Sequence, residues 1–245
     1  MPKRWYRIFQ AVLLLALFFF LGSKALGNQL SWYINPRFIT LTYIGIFFLG
    51  VLVYRLVMEM KGSFAPDKHD HDHTAAPVNL LIMLIPLLIG ILIPARPLGS
   101  ATVSTKGLTT SSPNINAQTA NRKFVIEPEQ RNILGWVTLF YFEESLDPYM
   151  GEHASVIGFV YFDEGLPEEQ FFVSRIILSC CAADGYAVAM IVDWPYAAAL
   201  KQDTWVRVRG PVEQAYLGDD PQAIPLIRAE TVEIVPQPDD PYLFP

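Results

Sequence analysis

Charge is scarce in this sequence. Asp, Glu, Lys and Arg make up 17% of the residues against 52% apolar, a balance too oily for an ordinary soluble domain, so a membrane protein is the first expectation. Catalytic signatures are missing as well. There is no Gly-rich phosphate loop, no Gly-x-Ser-x-Gly elbow, no His-Glu-x-x-His and no Cys-x-x-Cys, so the sequence does not support an enzyme. The long apolar runs hold no carboxylate or cation pair and therefore lack the usual marks of an ion path. No internal repeat is visible. Cysteine occurs only twice, as the adjacent pair Cys180 and Cys181.

What is present begins with three apolar runs, residues 8–27, 38–58 and 75–95. Each has about the length that crosses ~30 Å of hydrocarbon at ~1.5 Å per residue. These spacings predict three transmembrane helices in a region 1–95, with a His-rich loop at 59–74. Charge divides the chain near the same place: residues 1–123 carry 12 Lys+Arg and 4 Asp+Glu, and residues 124–245 carry 6 and 20. So acidic a second half would repel phosphate backbones, which argues against a nucleic-acid partner. Lys3, Arg4 and Arg7 precede the first run, and Arg55, Lys61 and Lys68 stand at and beyond the end of the second. That bias favours a cytoplasmic N-terminus and an extracytoplasmic C-terminal half, with Trp32 and Tyr33 in an outer aromatic belt. A signal peptide is the competing reading of the first run, although two more runs follow it.

Residues 96–123 are rich in Ser, Thr, Asn and Gly and read as a linker. From residue 124 the texture becomes short β-branched and aromatic runs. A short helix is expected from Pro128 onward, followed by five strands: "HASVIGFVYFDE", "QFFVSRIILSCC", "YAVAMIVDW", "TWVRVRGPVEQAY" and "AIPLIRAETVEIV". Five strands in about 90 residues suit a small all-β barrel of the OB type, with a sandwich or open sheet as alternatives. The expected fold is therefore a membrane protein with three helical spans and an acidic, OB-like extramembrane barrel at 124–245.

Two clusters carry chemistry. In "RIILSCCAADG", strand alternation would turn one of Cys180 and Cys181 toward the core and the other outward. The pair has three readings: a strained and easily reduced vicinal disulfide, a soft-metal site with Asp184, or inert packing. In "DKHDHDH", His69, His71 and His73 alternate with Asp70 and Asp72. Such a loop can wrap a divalent transition ion, Zn²⁺ foremost, and can equally serve as a solvated connector. His153, a lone histidine at a strand start, reads as structural. Pro86 interrupts the third run; neighbouring helices can accommodate a kink there, and by itself it indicates nothing about transport.

With "GFVYFDEG", "FFVSRIILSCCAADG", "TWVRVRGPVE" and the terminal "IVPQPDDPYLFP", the chain resembles the YcgQ-like family of bacterial membrane proteins, described as candidate subunits of a two-component permease. The family signature falls on Arg175, Cys180, Cys181 and Asp184, with Gly185 where Ala is expected. The resemblance implies an integral-membrane permease as partner, in the bilayer of a bacterial inner membrane. Three functions stand beside one another: a non-enzymatic accessory subunit, a metal-handling protein and a thiol-redox protein.

Overall fold

Asparagine and proline set the ends of the apolar helices. In the computed structural model, which describes residues 3–62, 77–108, 126–217 and 222–244, helix α1 (Lys3–Leu26) runs into a single 3-10 turn at Gln29–Trp32. Helix α2 (Pro36–Met60) then begins at a capped end. The Asn35 side chain accepts a hydrogen bond from the Arg37 N–H at 3.0 Å, and Pro36 fills a position whose N–H would have no helical partner. Both helices are long and apolar enough to cross a membrane. The 25 residues of α2 reach about 38 Å.

Helix α3 (Pro77–Leu92) falls within the third expected span at 75–95. It has 16 residues, about 24 Å, and belongs to a shorter class of apolar helix. Pro94 disfavours helical geometry at Ile93, which ends α3 there. Pro86 lies within it. Helices α2 and α3 both pack on α1, and glycine allows the approach: a Cβ on Gly50 would stand 3.0 Å from the Phe18 ring and one on Gly90 would stand 2.6 Å from the Phe20 ring. Away from those seams the helices are bare. Phe47 is 65% exposed and Phe48 63%. These elements form one structural unit, residues 1–96.

The second unit, residues 97–245, is a closed ring of five strands. They are β1 (His153–Tyr161), β2 (Gln170–Ile177), β3 (Tyr186–Asp193), β4 (Trp205–Ala215) and β5 (Ile224–Arg228). Antiparallel pairs join β1 to β2, β2 to β3, β4 to β5 and β1 to β4, and a parallel pair joins β3 to β5. The fifth expected run divides into β5 and β6 (Thr231–Ile234), both paired along β4. Extending the β4–β5 register would set Arg209 against Glu230, yet Arg209 pairs with Thr231. That one-residue slip is a bulge. Gly210 sits opposite it because a Cβ there would meet the Arg228 carbonyl.

Strands β2 and β3 are buried almost throughout rather than alternating, since both faces are covered. Phe171, Val173, Ile177, Val188, Met190 and Val192 join the barrel interior. Helix α5 (Ile133–Phe142) packs into the same core, almost wholly apolar and buried from Ile133 to Phe140. The helix starts later than expected. Pro128–Gln130 is a separate 3-10 turn, Arg131 is extended, and the Asn132 side chain caps α5 by accepting from Gly135 N–H at 2.9 Å.

The outer face of the ring is covered by part of the expected linker and by the C-terminal residues. Helix α4 (Ser100–Lys106) lies inside the expected linker 96–123 but belongs to the barrel unit. Its Val103 is buried with Phe159, Ile176 and Tyr242, and both the N–H and the hydroxyl of Ser100 donate to Asp203 at 2.8 and 2.6 Å. Residues 109–125 lie outside the described residues. The C-terminal strand β7 (Tyr242–Leu243) adds in parallel to β2 at Ile176 and Ile177, an edge that β1 leaves free beyond Ser174.

Candidate functional site: the cysteine turn

Strand β2 ends at Ile177, three residues before the cysteines, and the chain returns through a 3-10 turn at Ala182–Asp184 into β3. The expected strand alternation therefore does not reach the pair. Cys180 is exposed and Cys181 half-buried; neither is a core residue, and they are free thiols with Sγ atoms 3.8 Å apart. What replaces the strand ladder is the Asp184 carboxylate. It accepts Cys180 N–H at 2.7 Å and the N–H groups of Ser179 and Cys181 at 3.3 Å each. Three backbone donors that left the sheet find one acceptor, and this gathers both thiols on one turn.

The turn is anchored from outside too. Lys106, at the end of α4, donates to the carbonyls of Ala183 and Gly185 at 2.8 Å each. Gly185 is closely held: a Cβ there would come within 2.9 Å of Leu178 and of Leu98. A β-bridge between Leu108 and Ala187 continues that attachment.

The electrostatics follow from these bonds. The Cys180 thiol is pushed up to about 11, chiefly because it donates to Asp184 and also because it interacts with Cys181, so it is held protonated. Burial works to raise the Asp184 pKa, but the Cys180 thiol and the three backbone N–H groups outweigh it and hold the carboxylate below its ordinary value. Two thiols and a carboxylate oxygen lie within 4.8 Å of one another. Such a set can donate to a soft ion, exchange thiol protons or be oxidised.

Arg175, the remaining signature residue, serves the tail instead. Its guanidinium donates to the carbonyls of Asp240 (2.8 Å), Tyr242 (3.3 Å) and Ile157 (3.4 Å) and lies 5.2 Å from the centre of the Trp205 ring. Burial lowers its pKa to about 10, opposed by Asp240. It thus fills the opening where β1 departs from β2 and fixes β7 there. His69, Asp70, His71, Asp72 and His73 lie outside the described residues. His153 opens β1 at the surface, 3.8 Å from Glu230. Sequence reasoning missed Lys106 and β7. The available signal for Lys106 was its position as the lone basic residue between Arg96 and Arg122.

A pair of helices long enough to cross a membrane, followed in sequence by a closed β-barrel with a cysteine turn on its rim, defines the class of protein. The chain belongs to the DUF1980 family: residues 9–109 match the DUF1980 N-terminal domain and residues 105–245 the DUF1980 C-terminal domain. It is similar to the UPF0703 protein YcgQ of Bacillus subtilis, with 23% identity covering 93% of this chain and 95% of the relative. It is also similar, at 26% identity over 95% and 97% of the two chains, to a Streptococcus mutans protein whose name describes a candidate subunit of a two-component membrane permease complex.

Proposed function

We propose that the chain is a non-catalytic accessory subunit of a membrane permease, with its apolar helices docked beside an integral-membrane partner and its barrel carried at the membrane surface. The observation that supports this reading is the pairing of a full-length resemblance to a permease-complex subunit with helices whose apolar faces are bare. In this reading α3 inserts as a third, short span, the N-terminus is cytoplasmic and the barrel is extracytoplasmic in a bacterial inner membrane. The pairing order β1-β2-β3-β5-β4-β1 supports an OB-like identity for the barrel. The histidine loop keeps its proposed role as a divalent-ion ligand set.

Purification of the tagged full chain from its native membrane in mild detergent tests the proposal. One integral-membrane transport protein in near-equal amount is expected. Recovery of the chain alone, at detergent concentrations that keep other complexes intact, would overturn it. A reporter active only in the cytoplasm, fused after Pro245, should stay silent. The cysteine turn favours a second reading, a metal-binding or thiol-redox protein of the cell envelope, through the closeness of its donor atoms.

A further inference from the structure

The two thiols stand at a distance that has a chemical meaning. Around a tetrahedral Zn²⁺ with Zn–S bonds of ~2.3 Å, two thiolate sulfurs are about 3.8 Å apart. The separation of Cys180 Sγ and Cys181 Sγ is 3.8 Å. The carboxylate is the matching third donor. A carboxylate offers about four acceptor directions, and in Asp184 three are taken by the N–H groups of Ser179, Cys180 and Cys181. An Asp184 carboxylate oxygen and both sulfurs lie within 4.8 Å of one another. With both thiols deprotonated, one ion can bind the two sulfurs and that oxygen together.

We infer that Cys180, Cys181 and Asp184 form a three-donor site for a thiophilic divalent ion of the zinc class, with a fourth position open to an exchanging ligand. The turn is built before the ion arrives, because Asp184 fixes three amides and Lys106 fixes two carbonyls, so little ordering remains to oppose binding. The exposure of Cys180 leaves the fourth position facing solvent. An open fourth position, which water or another ligand can occupy, sets such a site apart from a closed structural one. Binding forms two metal–sulfur bonds and one metal–oxygen bond, and the two thiols release their protons to solvent. The site carries one negative charge before, on Asp184, and one after, when a dication is set against two thiolates and a carboxylate. The neighbouring Lys106 therefore meets no change in net charge. The inference deepens the metal-binding reading and is independent of the permease reading.

The test uses the reduced full chain in detergent, titrated with Cd²⁺ as the probe and with Zn²⁺ as competitor, alongside H69A/H71A/H73A so that the histidine loop contributes nothing. Expected are about one Cd²⁺ per chain with a thiolate-to-cadmium charge-transfer band, about two protons released per ion, and displacement by Zn²⁺. Asp184→Asn should weaken binding by at least about tenfold. Because that change also disturbs the turn, Cys180→Ala, which removes an exposed side chain and none of the backbone bonds, is the second variant and should abolish the band. Absence of a charge-transfer band in the folded parent would overturn the site, and so would an unaltered band in Cys180→Ala. Either failure would leave the recovery of a membrane partner unaffected, and loss of the partner would leave the Cd²⁺ titration unaffected.

Discussion

Helices α2 and α5 are both almost wholly apolar, yet one presents Phe47 and Phe48 to its surroundings while the other buries every residue from Ile133 to Phe140. The difference lies in the solvent each is built for. Ten residues of α5 reach about 15 Å, far short of a bilayer, and Ile133–Phe140 are buried in the core they share with the strands. The 25 residues of α2 reach across one, and protein covers little of their surface. Apolarity alone does not tell the two apart; length and what surrounds the helix do.

The largest expected effect sets one aromatic against another. Trp136→Ala in α5 empties the barrel core and should destabilise it by ~3–5 kcal/mol, read by denaturant unfolding of the full chain in detergent. Phe47→Ala on the bare face of α2 should leave that same transition in place. Equal losses would erase the distinction between the two helices.

A charge sharpens the contrast from the other side. Phe48→Asp places a carboxylate in α2 at a cost of ~2.5–3.5 kcal/mol if that face meets hydrocarbon, and should shift the chain out of the membrane fraction. Tyr196→Asp, at an exposed position of the barrel, should leave fractionation unchanged.

Within the barrel, Arg175→Met keeps the apolar stem and removes the guanidinium that donates to the carbonyls of Ile157, Asp240 and Tyr242. A cost of ~1–3 kcal/mol is expected, concentrated at the tail. The Leu178 N–H, which donates to Leu243, should lose its protection against hydrogen exchange while the β2–β3 amides keep theirs.

The smallest effect is a pH profile. Asp184 has a folded pKa below its unfolded value, so its contribution is present above the unfolded pKa and is lost as pH falls through the folded one. Exchange protection of the Ser179, Cys180 and Cys181 amides should follow that course on acidification. Cys180 has the opposite sign. With its folded pKa raised to about 11, the thiol form is favoured below the unfolded value and the benefit is lost as pH rises through about 11. Alkylation of Cys180 should therefore be slow at neutral pH and accelerate toward pH 11, and Asp184→Asn should move that rise to lower pH.

Much of this architecture is legible in the residues. Apolar runs without charge mark α1 and α2, and the five β-branched runs fall on the ring strands because branched and aromatic side chains suit a pleated, buried surface. The rest depends on contacts that no local pattern carries. The division of β5 from β6 is a one-residue bulge forced by close passage at Gly210. Helix α4 is polar in composition and is held by one buried valine and by Asp203, about a hundred residues away in sequence. Strand β7 is two residues long and held by an arginine 67 positions upstream. At the cysteines, alternation was the wrong rule because the Asp184 carboxylate had already taken the amides out of the ladder.

The most direct test of the contrast between the two apolar helices is photolabelling of the full chain in liposomes with a reagent confined to the hydrocarbon, followed by peptide mapping. Label is expected on α1 and on the Phe47–Phe48 face of α2, with none on α5 despite its apolarity. Label on Ile133–Phe142, or its absence from α2, would contradict the account.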